Sequence, residues 1–143
     1  MKNHKRTIGK VDLFSLTDGF GTGSPTGIFL NSSHDIWLEE YSELLDSKGF
    51  IHLRYGSIVL RSRGKVILVD IGDGPPDGNL LRDMRDKGIN PGEIDLVIIT
   101  YLHRDHAGWN LTNNLPAFPK SRYLISKDRL GILDKFRNRA SCW

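Results

Sequence analysis

A chain of 143 residues, 38% apolar and 26% charged, has the length and composition of one globular domain, residues 1–143, built round a single core. Its net charge of +3 gathers at the ends, in Lys2, Lys5 and Arg6 and in Lys135, Arg137 and Arg139, without the basic face interleaved with aromatics that nucleic-acid binding uses. No run approaches the roughly 20 apolar residues that span a bilayer, no signal-peptide core follows the basic start, and the single cysteine, Cys142, excludes an internal disulfide. The expectation is a cytoplasmic protein with neither a nucleic-acid nor a membrane partner.

In chain order, VDLFSLTDG (Val11 to Gly19) reads as a strand, with Val11, Leu13, Ser15 and Thr17 loosely alternating before a turn dipeptide. GFGTGSPTG reads as a loop, and its glycines match neither phosphate-cradling spacing. Asp35 to Leu45 is expected to form a short amphipathic helix with Ile36, Leu38, Tyr41, Leu44 and Leu45 inward. Ser57–Leu60 and Lys65–Val69 are β-branched runs that turn at Arg63-Gly64, a hairpin whose second strand is apolar enough to be buried on both faces. Asp70 to Pro76 (DIGDGPP) suits only a loop. Asn79 to Lys87 has Leu80, Leu81 and Met84 on one helical face and Gly88 as its stop. After the Asn90-Pro91-Gly92 turn, Ile94 to Thr100 is another strand, and Lys127 to Arg139 reads as a closing helix. Strand–helix–strand from Val66 to Thr100 implies a right-handed crossover and a partly parallel sheet, in which ligands bind where loops leave the carboxyl ends of strands.

At such an end stands TYLHRDHAGWN, residues 100–110. His103, Asp105 and His106 offer imidazole nitrogen and carboxylate oxygen, the donors zinc prefers. An irregular loop is needed to aim ligands one and two residues apart at a common point, and Gly108 allows the close backbone approach that would fix that loop. A solvated polar surface loop is the ordinary alternative. Other residues carry less. His34 and His52 lack partners at ligand spacing, Ser57 has no nucleophile-elbow motif round it, and Trp109 suits either a site mouth or packing against a helix.

TYLHRDHAGWN resembles the T-H-x-H-x-D-H-x-G metal motif of the metallo-β-lactamase superfamily. YGSIVLRSRGKVILVDIGDGP, LLRDMRDKGINPGEIDLVIIT and FPKSRYLISK resemble the segments round it, so the likeness runs from Val11 to about Lys127, nearest the lactonase-like branch. The resemblance implies an α/β fold with a mixed β-sheet and flanking helices, the N-terminal half of a four-layer αββα sandwich. Carried over by position, His103 would serve one metal, and Asp105 and His106 a second. Tyr101 stands where the motif has its first histidine, as a substitute ligand or a ring lining the site. Asp70 would stand behind the ligands and fix their geometry, and Asp105 would double as the catalytic, water-orienting group.

The family's remaining ligands come from its later half, and after His106 this chain contains no histidine. Asp128 and Asp134 are the acids that remain, both on the surface of the expected closing helix. The implied function is a zinc-dependent hydrolase, with one or two Zn2+ ions in the family and a metal-delivered hydroxide attacking an ester, lactone or amide-type bond of a small molecule. The chain would be truncated and weak or inactive alone. The alternative is a non-catalytic metal-binding or interaction module that covers an open sheet face by association, homo-oligomerisation included.

Overall fold

The computed structural model describes residues 4–127. The expected closing helix beyond Lys127, with Asp128 and Asp134, and Cys142 lie outside them. Eight strands and four helices follow in chain order: β1 (Lys5–Ile8), β2 (Val11–Gly23), α1 (Pro25–Ile28), α2 (His34–Glu40), β3 (Ile51–Ser62), β4 (Lys65–Val69), α3 (Leu80–Asp86), β5 (Leu96–Ile99), α4 (Arg104–Ala107), β6 (Leu111–Thr112), β7 (Leu115–Pro116) and β8 (Arg122–Ile125). Six strands form one sheet in the order β1-β2-β3-β4-β5-β8, and β6 and β7 form a separate two-stranded ribbon. The fold is mixed α/β. No helix among the described residues is long and apolar enough to cross a membrane.

The hairpin joining β3 to β4 is antiparallel and closes at Arg63 (φ +50°) and Gly64 (φ +71°), the left-handed pair that a two-residue hairpin turn needs. β4 then runs parallel to β5, with Val69 opposite Ile98, and β5 runs parallel to β8. Between β4 and β5, α3 buries Leu80 and Met84, one turn apart, in a core shared with Phe14, Leu16, Val59, Leu68, Val97 and Ile99. Gly88 ends this stretch at φ +68°.

Several expectations are corrected by packing. β2 continues to Gly23, so most of the glycine-rich stretch is strand, and β3 begins at Ile51. The buried face of β2 carries Phe14, Leu16 and Asp18, the opposite phase from Val11, Leu13, Ser15 and Thr17. In β4 only Leu68 is fully buried, because the described residues cover the other face in part. The Asp35–Leu45 helix stops at Glu40, and Ile36, Leu38, Tyr41 and Leu44 are exposed. Trp37 is the buried residue there, with its ring against Phe29 and Tyr41.

The described residues fall into two compact units, one of residues 20–55 and the other of the described residues before and after them. The first holds α1, α2 and a bridge between Leu45 and Ile51. The second holds the hydrophobic core and the residues of the candidate site.

Candidate functional site

The parallel register of β4 and β5 brings their carboxyl ends side by side, and the next residue of each strand meets the other. The Asp70 N–H donates to Ile98 O at 2.8 Å. The Asp70 carboxylate in turn accepts from the Thr100 N–H at 2.8 Å and from the Thr100 hydroxyl at 3.0 Å on Oδ1 and 2.8 Å on Oδ2. Asp70 does this from φ +56°, a left-handed backbone that costs a non-glycine residue of order 1 kcal/mol or more and persists where surrounding bonds hold it.

The same carboxylate meets His106. Nδ1 of His106 lies 2.7 Å from Asp70 Oδ2 and 3.3 Å from the Thr100 hydroxyl. A carboxylate accepts, so Nδ1 is the donor, and Nε2 is the ring nitrogen turned away from Asp70. Nε2 lies 3.3 Å from Asp105 Oδ2. Asp105 and His106 occupy the single helical turn α4, so the motif is not an irregular loop throughout; spacings of one and two are served by a turn that starts at His103.

His103 is exposed at the N-cap of α4, where its carbonyl accepts from the N–H groups of His106 and Ala107, both at 3.1 Å. Its imidazole meets the ring of Tyr101 edge-on, centroids 4.7 Å apart at 64°, and that same ring lies 4.0 Å from the imidazole of His106. Burial, then the charges of Asp105 and Asp70, push the Tyr101 phenol above its ordinary range. Among the described residues no three His, Cys, Asp or Glu side chains converge as a complete metal site requires. Asp105 and His106 come together and His103 faces the tyrosine ring. The donors of that pair, a carboxylate oxygen and an imidazole nitrogen, fit zinc in kind and make up half of a four-coordinate set.

The loop after β4 and the segment after α4 are zipped together. Ile71 N–H donates to His106 O at 2.9 Å, Gly108 N–H to Gly72 O at 2.8 Å and Trp109 N–H to Ile71 O at 3.2 Å. A Cβ on Gly108 would overlap the Asp73 backbone carbonyl, so the Ala-Gly after the motif answers to contact between backbones. At the surface of this junction Arg104 pairs with Asp73 at 3.2 Å.

Asp18 was not singled out from the sequence. It is buried at 1% exposure and accepts three bonds: from Gly74 N–H at 2.9 Å on Oδ2, and from Leu80 N–H at 2.6 Å and Trp109 Nε1–H at 2.7 Å on Oδ1. One carboxylate thus ties the middle of β2 to the Asp70 loop, to the start of α3 and to the residue after the metal motif. Trp109 is accordingly a packed, anchored indole rather than a site mouth. The signal available in sequence was strand phase: Asp18 shares a face with Phe14 and Leu16. Of the remaining residues considered, His52 pairs with Asp46 at 3.2 Å, His34 opens α2 at the surface, and Ser57 is buried with its hydroxyl unpartnered among the described residues.

The family model of the metallo-beta-lactamase superfamily matches residues 56–112, the span from β3 to the end of the motif. Metallo-beta-lactamase domain-containing protein 1 of Xenopus laevis is 31% identical over 93 residues, 65% of this chain and 37% of that protein. The Rattus norvegicus protein of that name is 39% identical over 62 residues, 43% of this chain and 23% of its own length. Among solved structures, AidC, a dizinc quorum-quenching lactonase crystallised with its product, superposes with a TM-score of 0.82 at 22% identity over 90% of this chain and 46% of its own. A probable metal-dependent hydrolase from Staphylococcus aureus gives 0.77 at 19% identity, over 96% of this chain and 55% of its own. The chain therefore spans about a third of the first of these relatives and about half of the solved hydrolases. Motif segment and curated relatives make the chain similar to the metallo-β-lactamase superfamily, and over about half of their length it shares the fold of the solved hydrolases.

Proposed function

We propose that this chain supplies the Asp105–His106 part of a zinc-dependent hydrolytic centre, acts in the cytoplasm on an ester, lactone or amide-type bond of a small molecule, and turns over weakly or not at all at this length alone. The observation that carries the reading is the Asp70 grip on His106 Nδ1 at 2.7 Å, which leaves Nε2 directed to Asp105. A carboxylate behind an imidazole is how proteins fix the tautomer and orientation of a ligating histidine and raise its basicity. A bound zinc ion would supply Lewis acidity and a nucleophile at neutral pH. This chain's part is to orient. Thr100 steadies Asp70, Asp70 holds His106, and the Asp105 carboxylate accepts a proton from a water placed beside it. The lactonase and metal-dependent hydrolase among the structural neighbours support this choice of reaction class.

The test is zinc uptake and hydrolysis of lactone, ester and β-lactam substrates by the wild type, Asp70→Asn and His106→Ala. The expected result is zinc binding that falls about 10- to 100-fold in Asp70→Asn and is abolished in His106→Ala. Zinc uptake indifferent to both substitutions sinks the proposal.

A second reading, an interaction module that covers its sheet with another protein or a second copy, is favoured by the exposure of Ile58 on β3 and Leu124 on β8. Tight self-association in sedimentation with no zinc-dependent turnover would select it.

A further inference from the structure

We infer that the end of the six-stranded sheet away from the candidate site is a docking surface for an acidic, extended segment of another protein. The inference is independent of the functional reading above. Its ground is a row of cations on neighbouring segments of one compact unit. Lys10 stands on the turn between β1 and β2, Arg63 on the turn between β3 and β4, and Lys120 and Arg122 where the chain enters β8. All four are exposed and make no ion pair among the described residues.

Contacts hold these segments in line. Ser62 Oγ, at the end of β3, donates to Lys10 O at 3.4 Å, and Lys65 Nζ, at the start of β4, donates to Asp95 Oδ1 at 2.8 Å. Asp95 O in turn accepts from Arg122 N–H at 3.0 Å. The strands run in the order β2-β3-β4-β5-β8. Strands lie about 4.7–4.9 Å apart, so the row covers roughly 20 Å, the reach of about six residues of extended chain.

Charge selects the partner. Arg61 and Lys65 belong to the same end, paired with Glu93 and Asp95. Six cations against two acids give that end a charge of +4, above the +3 of the entire chain. The Lys5–Asp12 pair beside it is neutral. At the other end, where β4 and β5 deliver Asp70 and Thr100, the acids Asp73, Asp77 and Asp105 join Asp70, with Arg104 among them. An acidic ligand is therefore drawn to the row and repelled from the site. The five residues of β4 separate the two ends by about 17 Å.

Arg63 is a choice the turn itself does not call for. It takes the first of two left-handed positions, at φ +50°, where Asn, Asp or Gly is usual, and so carries a guanidinium to the tip of the hairpin. Glu93 and Asp95 interrupt the row. A bilayer or a phosphate backbone would press continuous negative charge on them, whereas a peptide can set neutral residues opposite.

The probe is a fluorescein-labelled peptide of alternating Glu and Gly, about eight residues long to span the row. Its anisotropy is read against the full chain at about 50 mM sodium chloride, where surface charge is weakly screened. Wild type should bind it, Arg63→Glu/Arg122→Glu at least about tenfold more weakly, and Arg63→Lys/Arg122→Lys within about threefold of wild type. Arg82→Glu/Lys127→Glu makes the same change in net charge at exposed positions off the row, and should stay within about twofold of wild type. The variant with Glu at 63 and 122 should also gain affinity for the matching Lys-Gly peptide. Amide spectra check that each variant is folded. Equal losses in the two Glu-bearing pairs would reduce the effect to net charge and overturn the inference. So would the absence of saturable peptide binding, or tighter binding of a single-stranded thymidine oligonucleotide or of phosphatidylserine vesicles than of the peptide.

Discussion

Replacing Asp18 tests how the candidate site is held. Its Oδ1 serves two donors, Leu80 N–H and Trp109 Nε1–H, and its Oδ2 serves one, Gly74 N–H; all three residues are buried. A buried donor left without an acceptor costs about 1–3 kcal/mol. Asp18→Ala strands all three donors, for a minimum of about 3 kcal/mol, and water entering the vacated space holds the cost to about 5 kcal/mol. Asp18→Asn is gentler for a reason the geometry supplies. The amide oxygen can keep Leu80 and Trp109, while the amide nitrogen faces Gly74 N–H, so Gly74 N–H and an amide N–H are stranded in place of three donors and the cost is about 2–3 kcal/mol. Urea unfolding followed by tryptophan fluorescence reads the difference: with a slope of about 1.5 kcal/mol/M, Asp18→Ala lowers the midpoint by about 2–3 M. Asp77→Ala, at an exposed position in the loop before α3, should stay within about 0.5 kcal/mol of wild type. If Asp18→Ala cost under 1 kcal/mol, or Asp18→Asn cost as much as Ala, the clamp would be refuted.

Gly108→Ala places a methyl group on the Asp73 backbone carbonyl, which cannot swing aside because Gly108 and Gly72 are bonded there. The expected cost is about 1–3 kcal/mol in urea unfolding, with weaker zinc uptake. Gly27→Ala, whose added carbon would meet Ser24 at an ordinary 3.7 Å, serves as the tolerated comparison. Asp95 pins β4 to β5. Its carboxyl lies below the usual carboxylate range because Lys65 donates to it at 2.8 Å, with a further bond from Val66 N–H at 2.9 Å. A depressed carboxyl adds stability above its unfolded value and loses it as pH falls through the folded one. Thermal melts should therefore show wild type more stable than Asp95→Asn at neutral pH and the gap closing below about pH 4. A gap that persists at pH 2 would refute that account of Asp95.

How far the sequence reaches depends on the distance over which each signal acts. The turn at Arg63-Gly64, the Leu80–Met84 face of α3 and its stop at Gly88 are set by residues within about four positions of one another, and all three form as expected. The order strand, helix, strand from β4 to β5 made a parallel pair the economical arrangement, and that pairing carries Asp70 to Thr100 and His106. The phase of β2 was misread because Val11, Leu13, Phe14 and Leu16 offer apolar residues on both faces, and with the phase went Asp18. On α2 the aliphatic side chains suggested one stripe, but the structure buries Trp37, whose indole N–H has Ser32 as a partner at 2.9 Å.

The sequence by itself determined the local elements, the hairpin and the grouping of His103, Asp105 and His106 after a strand, since hydrophobic period and turn chemistry act over a few residues. Tertiary structure alone decided where the side chains point. Asp18 reaches Trp109 across 91 positions and Asp70 reaches His106 across 36. Tyr101 turns its ring onto both histidines, because such contacts are fixed by close packing of distant segments, for which the intervening chain carries no periodic trace.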